Sequence, residues 1–182
     1  MTRAETKALI KPHVAHNSGN NEWYTPGHII DAARQAMGTI DTDPASSEIA
    51  NRTVGATVYF TKDDDGLAQK WHGNVWLNPP YSQPLIRLFT DALVEKYRSG
   101  EIEQAVVLVN NASETRWGQT LLGASSAVCF PRGRIKCVDP EGRPSGAPLQ
   151  GQAVAYLGKH PELFREAFIR FGLVAFPVGG AA

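Results

Sequence analysis

Apolar residues recur along this chain in two different periods. Ile29, Ile30, Ala33 and Met37 fall at helical spacing until Gly38 stops the pattern. Thr25 is a suitable N-cap and Pro26 sits where a first turn tolerates proline, so a helix is predicted to open there. Leu85, Ile86, Phe89, Leu93 and Tyr97 mark a second amphipathic helix that Gly100 terminates, and residues 114–122 and 161–171 read as two more. Between the helices lie short apolar runs of strand length at 75–77, 105–109, 127–130, 134–138, 153–157 and 173–178. Residues 38–46 read as a short first strand entering a loop, and 54–61 as a β-rich stretch before Asp63-Asp64-Asp65-Gly66.

The run at 75–77, the helix from 85 and the run at 105–109 form a strand, helix, strand unit. A right-handed crossover makes the two strands parallel and puts the loops after both at one carboxyl edge, where open α/β sheets bind ligands. The fold class is therefore α/β, with a mostly parallel central sheet, helices on both faces and an antiparallel strand pair near the C-terminus. Residues 1–20 are polar without a sustained period and read as an arm, 21–178 as a single domain, and 179–182 as a frayed tail. Residues 139–148 are a Pro/Gly-rich loop.

A length of 182 residues and an apolar fraction of 42% suit one soluble domain with a full core. No apolar run approaches membrane-spanning length and no signal-peptide pattern opens the chain, so a cytoplasmic protein is expected. Cys129 and Cys137 lie in strand-like sequence without a CxxC pattern and read as buried thiols. The five histidines are scattered, so no metal is expected. Net charge is zero but unevenly spread: residues 21–103 carry seven basic against twelve acidic side chains, and residues 104–182 eight against five. That distribution suits a cationic cofactor in the middle of the chain and phosphates near its end.

The strand at 75–77 stops at Asn78-Pro79-Pro80-Tyr81. Pro79 forces Asn78 into extended backbone and neither proline has an N–H, which leaves the carbonyls of Asn78 and Pro79 free to accept. The side-chain oxygen of Asn78 and the backbone oxygen of Pro79 can each take one N–H of an amino group on an aromatic ring, turning its lone pair toward an electrophile, while Tyr81 stacks on the ring. A base in a duplex must first leave the stack for this to happen.

Asn78-Pro79-Pro80-Tyr81 resembles the catalytic motif of amino-directed methyltransferases that use S-adenosylmethionine. The blocks around it, Trp23-Tyr24-Thr25-Pro26, Asp41-Thr42-Asp43-Pro44-Ala45, Asp64-Asp65-Gly66, Asn110-Asn111, Trp117 and Gly133-Arg134-Ile135, are similar in kind and order to those of the phage-type DNA adenine (6-amino) methyltransferase family. The resemblance implies a Rossmann-like class I methyltransferase fold, S-adenosylmethionine as cofactor and DNA as partner. It implies catalysis by Asn78, Pro79, Pro80 and Tyr81. Cofactor contacts are implied for Trp23, Tyr24, Thr25, Pro26, Asp43, Pro44, Ala45, Asp64 and Asp65, with Asp65 favoured over Asp64. Many methyltransferases carry a G-x-G after the first acidic residue; this chain has Asp43-Pro44-Ala45 instead. For DNA, Trp117 is expected to border the pocket of the extruded base, and Arg132 and Arg134, at a turn in the more basic part of the chain, to meet phosphates.

The same tetrapeptide serves enzymes that methylate a protein glutamine or a guanine of ribosomal RNA. A DNA-binding module with a lapsed methyltransferase fold is the competing reading from outside enzymes, and the missing G-x-G is its support.

Overall fold

The computed structural model describes residues 24–139, 143 and 150–178. The predicted arm, Trp23, most of the Pro/Gly-rich loop and the tail lie outside the described residues. Helix α1 (Gly27–Met37) leads into strand β1 (Thr42–Asp43), followed by α2 (Glu48–Val54) and β2 (Val58–Tyr59). The central unit is β3 (Asn74–Leu77), α3 (Leu85–Ser99) and β4 (Gln104–Asn110), after which come α4 (Arg116–Ala124), β5 (Ala127–Pro131), β6 (Gln152–Leu157), α5 (Pro161–Phe168) and β7 (Gly172–Ala175).

The seven strands among the described residues join one sheet in the order β2-β1-β3-β4-β6-β5-β7. The first four strands of that order run parallel. β6 is antiparallel to both β4 and β5, and β7 is antiparallel to β5. The antiparallel pairing expected near the C-terminus is present in β5–β6 and β5–β7, with β5 itself parallel to the central strands.

Alternation along the strands splits the core in two. Trp76, Val106, Leu108, Cys129, Val154 and Tyr156 face the layer of α1 and α5, where Ile29, Ile30, Ala33, Phe164 and Phe168 are buried. Val75, Leu77, Val107, Val109, Val128 and Ala155 face the layer of α3 and α4, against Ile86, Phe89, Leu93 and Leu121. Helices therefore cover both faces, which is why the central strands read as continuous apolar runs.

Three sequence expectations are corrected. Thr25 does not cap α1; Pro26 is the N-cap, with extended backbone and no side-chain cap bond. Within the stretch read as β-rich, Val54 closes helix α2, whose N-terminus is capped by Ser47 accepting from the Ala50 N–H, and only Val58–Tyr59 is strand. Residues 134–138 form no ladder strand. Val138 alone bridges to Tyr24, with reciprocal backbone bonds of 2.9 and 3.2 Å.

Candidate active site at the carboxyl edge of the sheet

The parallel strands end together at one edge, so Asp43 (β1), Asn78 (just after β3) and Asn110 (β4) arrive there from three neighbouring strands. The antiparallel β6 begins at the same edge, because its first residue, Gln152, pairs in register with Asn110.

Asn78 is held from both ends of its amide. Its Nδ2 donates to Thr25 Oγ1 at 3.1 Å, and its Oδ1 accepts from the Tyr81 hydroxyl at 3.0 Å. A carbonyl oxygen has two lone pairs, so Oδ1 keeps one acceptor position after Tyr81 is satisfied. Pro79 is buried and Pro80 exposed, which turns the chain over the edge and into α3. The Tyr81 ring packs on the layer of α3 and α4 while its hydroxyl crosses to Asn78. Burial pushes that hydroxyl well above its usual pKa; Cys137 adds to the effect, and the neighbouring Gln152 amide offsets part of it. Tyr81 is thus a neutral donor throughout the physiological range.

Thr25, buried beside Tyr24 and Pro26, owes its place to two constraints. The Tyr24–Val138 bridge fixes the residue before it, and α1 begins directly after Pro26. The hydroxyl that sequence reasoning assigned to helix capping is thereby released to orient Asn78.

On the other side of Asn78 in the sheet, Asp43 is 2% exposed at the end of β1. Burial raises its pKa to about 7, against the Ala45 N–H, which donates to Oδ1 at 3.2 Å, and the nearby Ser46 side chain, both of which favour the charged form. The Phe60 N–H donates to the Asp43 carbonyl and the Ser46 N–H to the Phe60 carbonyl, tying the loop after β1 to the chain leaving β2. Pro44 is buried against Gly66, where any Cβ would collide with the Pro44 carbonyl oxygen. Only glycine lets the acidic loop approach that closely. Trp71 Nε1 donates to the Gly66 carbonyl at 2.7 Å and pins the loop from beneath.

Within that loop the two candidate carboxylates differ. Asp64 Oδ2 accepts from the Thr61 N–H at 2.8 Å and from the Thr61 hydroxyl at 2.7 Å, and these bonds lower its pKa. Asp64 thus serves its own turn. Asp65 is exposed, has a positive φ of 49° and follows it.

The residues expected to meet DNA differ in their exposure. Arg132 and Arg134 are exposed just past the end of β5, on the carboxyl edge, and neither makes a salt bridge among the described residues. Trp117 is 7% exposed in the first turn of α4 and packs in the layer of α3 and α4, whereas alternation from Trp76 puts Asn78 on the opposite face. The outer edge of Trp117 lines an open groove of about 740 Å³ with Arg87 and Arg116.

One residue escaped the sequence reading. Gln152 reaches the edge as the cross-strand partner of Asn110, and nothing in the primary sequence signals that pairing. Among the described residues, no group of three or more His, Cys, Asp or Glu side chains is placed to hold a metal ion. No helix among them is long and apolar enough to cross a membrane.

Comparison with known proteins bears on this edge. A family model described as DNA N-6-adenine-methyltransferase (Dam) matches residues 13–157, a span that contains Thr25, Asp43, Asn78, Tyr81 and Asn110. A DNA N-6-adenine-methyltransferase of Haemophilus phage HP1 (strain HP1c1) is 24% identical over 147 residues, covering 78% of this chain and 75% of that protein.

Proposed function

The chain belongs to the DNA N-6-adenine-methyltransferase (Dam) family and methylates adenine in DNA, and on that premise we propose that the edge around Asn78 performs the transfer. The fold is read as a Rossmann-like class I methyltransferase domain spanning 21–178. The observation that carries the site assignment is the Asn78 amide, clamped by Thr25 and Tyr81 so that Oδ1 faces the edge with one lone pair unspent.

S-adenosylmethionine is the proposed cofactor. The residues fit it: a buried carboxylate at the end of β1, a loop packed closely through Gly66, and an exposed acidic residue, Asp65, on that loop. Asp43 holds the ammonium of the methionine moiety directly or through water, and Asp65 is favoured over the internally bonded Asp64 for the adenosine moiety. Tyr24, Pro26, Pro44 and Ala45 line the approach, and Trp23 precedes them. When bound, the cofactor supplies a methyl group already activated by a sulfonium sulfur.

The protein's own residues position the nucleophile. The target adenine leaves the duplex, and the Tyr81 ring offers it a stacking face. Oδ1 of Asn78 and the Pro79 carbonyl each accept one N–H of the 6-amino group, which draws its lone pair out of the ring plane and toward the methyl carbon. Asn78 cannot act as a base at any ordinary pH, so the rate comes from orientation and exclusion of water. Arg132 and Arg134 hold phosphates beside the extruded base. Offering tritiated S-adenosylmethionine with unmethylated DNA, ribosomal RNA and protein extract tests the reading: counts are expected in 6-methyladenine of the DNA, and counts in guanine or glutamine alone overturn it.

A further inference from the structure

At the part of the edge beside Asn78, two buried polar atoms have no hydrogen-bond partner among the described residues: Oδ1 of Asn110 and Nε2 of Gln152. Leaving such groups unpaired is costly, and native structures seldom tolerate it without a reason. The two atoms belong together. Asn110 closes β4 and Gln152 opens β6, and they are register partners on adjacent antiparallel strands. Alternation from Leu108 and Val154 places both side chains on the face that Asn78 also occupies.

Gln152 is 5% exposed, and its amide is not free to flip. Oε1 accepts from the Ile135 N–H at 2.8 Å, which commits the NH2 end to the other direction, near the Tyr81 hydroxyl but without a formed hydrogen bond to it. The strand order β1-β3-β4-β6 puts this donor on the side of Asn78 away from Asp43. Cofactor and target base must approach Asn78 from different sides, and Asp43 marks the cofactor's.

Resting on the proposed function of this edge, we propose that Gln152 is a specificity-determining residue that reads the extruded adenine. One Nε2–H donates to N1, the ring nitrogen next to the 6-amino group, and the other turns to Oδ1 of Asn110. Both orphaned atoms are then satisfied. Adenine offers an acceptor at N1 where guanine carries an N–H, so the same donor that holds adenine repels guanine. Asn110 acts through Gln152 and is a positioning residue.

The test uses the full-length enzyme and duplexes built on a site mapped in DNA that the enzyme has methylated. The target is adenine or 1-deazaadenine, placed opposite an abasic position so that lost base pairing does not contribute. Wild type is expected to show kcat/KM at least tenfold lower on 1-deazaadenine. Gln152→Glu keeps the acceptor for Ile135 and loses the donor. It is expected to lose at least tenfold on adenine, with cofactor Kd unchanged, and to lose no more than twofold further on 1-deazaadenine. Asn110→Ala is expected to lose several-fold on adenine and to show the same masking. Wild-type rates within twofold on the two bases overturn the inference without recourse to any variant, as do Gln152→Glu losses that multiply with the base change. Absence of methyl transfer to any DNA defeats the proposed function instead, which keeps the two failures apart.

Discussion

The hydroxyl of Tyr81 donates to Oδ1 of Asn78 at 3.0 Å, three residues back along the chain. A tyrosine read from the sequence as a stacking face is therefore also a clamp on the group proposed to accept the reacting amine. The two roles separate by substitution. Tyr81→Phe keeps the ring and removes one neutral hydrogen bond of about 1 kcal/mol, so the single-turnover rate is expected to fall by about five- to tenfold. Tyr81→Ala removes the face as well and is expected to cost at least a further tenfold, with weaker binding of target DNA. Equal losses in both variants would leave stacking with no part in the reaction.

Thr25 and Tyr81 together define what Asn78 tolerates. Asn78→Ala deletes the acceptor and is expected to abolish transfer while cofactor affinity changes little. Asn78→Asp keeps an acceptor, and both neighbouring hydroxyls can donate to a carboxylate, so measurable turnover is expected to survive. Thr25→Val should fall between the two, because the amide loses its anchor but not its oxygen. Steady-state kinetics beside calorimetric cofactor titration would check all three; Asn78→Ala turnover within tenfold of the parent would refute the mechanism.

How far this site was legible in the chain varied with the kind of signal. Asn78 and Tyr81 stood out because a strand ending in Asn-Pro-Pro has few physical purposes, and the runs at 75–77 and 105–109 gave parallel strands because burial on both faces leaves no polar alternation to misread. The segment at 134–138 shows the opposite case. Its alternation is real, with Ile135 and Cys137 buried between exposed Arg134 and Lys136, yet it has no ladder. Periodicity reports which side chains are covered, not whether the backbone finds a partner. Helix α2 was missed because only Val54 of its seven residues is buried, leaving little apolar period to detect. Gln152 was invisible for a third reason: its partner Asn110 is 42 positions away in the chain, and only cross-strand register brings them together.

Asp43 is expected to set a pH dependence of stability opposite to that of a salt-bridged carboxylate. Its pKa rises from 3.8 to about 7 on burial. Between those values the folded state binds more protons than the unfolded one, so this group's contribution falls as pH rises through that window and levels off above it. Asp43→Asn keeps an oxygen for the Ala45 N–H and removes the buried charge. The variant is expected to be more stable than the parent at pH 8, by on the order of 3 kcal/mol, with the gap closing toward pH 4. Urea unfolding at several pH values measures it, and a gap independent of pH would place the charge in solvent. The same variant is expected to bind the cofactor more weakly by about 1–3 kcal/mol, the cost of a lost charge-assisted bond.

Trp117 and the arginine pair Arg132 and Arg134 were expected from the sequence to act together, and the structure gives them different surroundings, one buried and two exposed. Trp117→Ala opens a cavity between α3 and α4 and is expected to destabilise by about 3–5 kcal/mol in chemical denaturation, with little effect on the turnover of whatever remains folded. The arginines are exposed at the carboxyl edge, so their loss should leave the melting temperature in place. If they hold phosphates, Arg132→Ala and Arg134→Ala should each weaken binding to every DNA sequence alike and flatten the dependence of log Kd on log salt by roughly one unit. Binding across a salt series at constant pH reads both effects at once. Unchanged slopes for the two variants would take Arg132 and Arg134 off the DNA surface, and a lower slope for Trp117→Ala at full stability would put that indole on it.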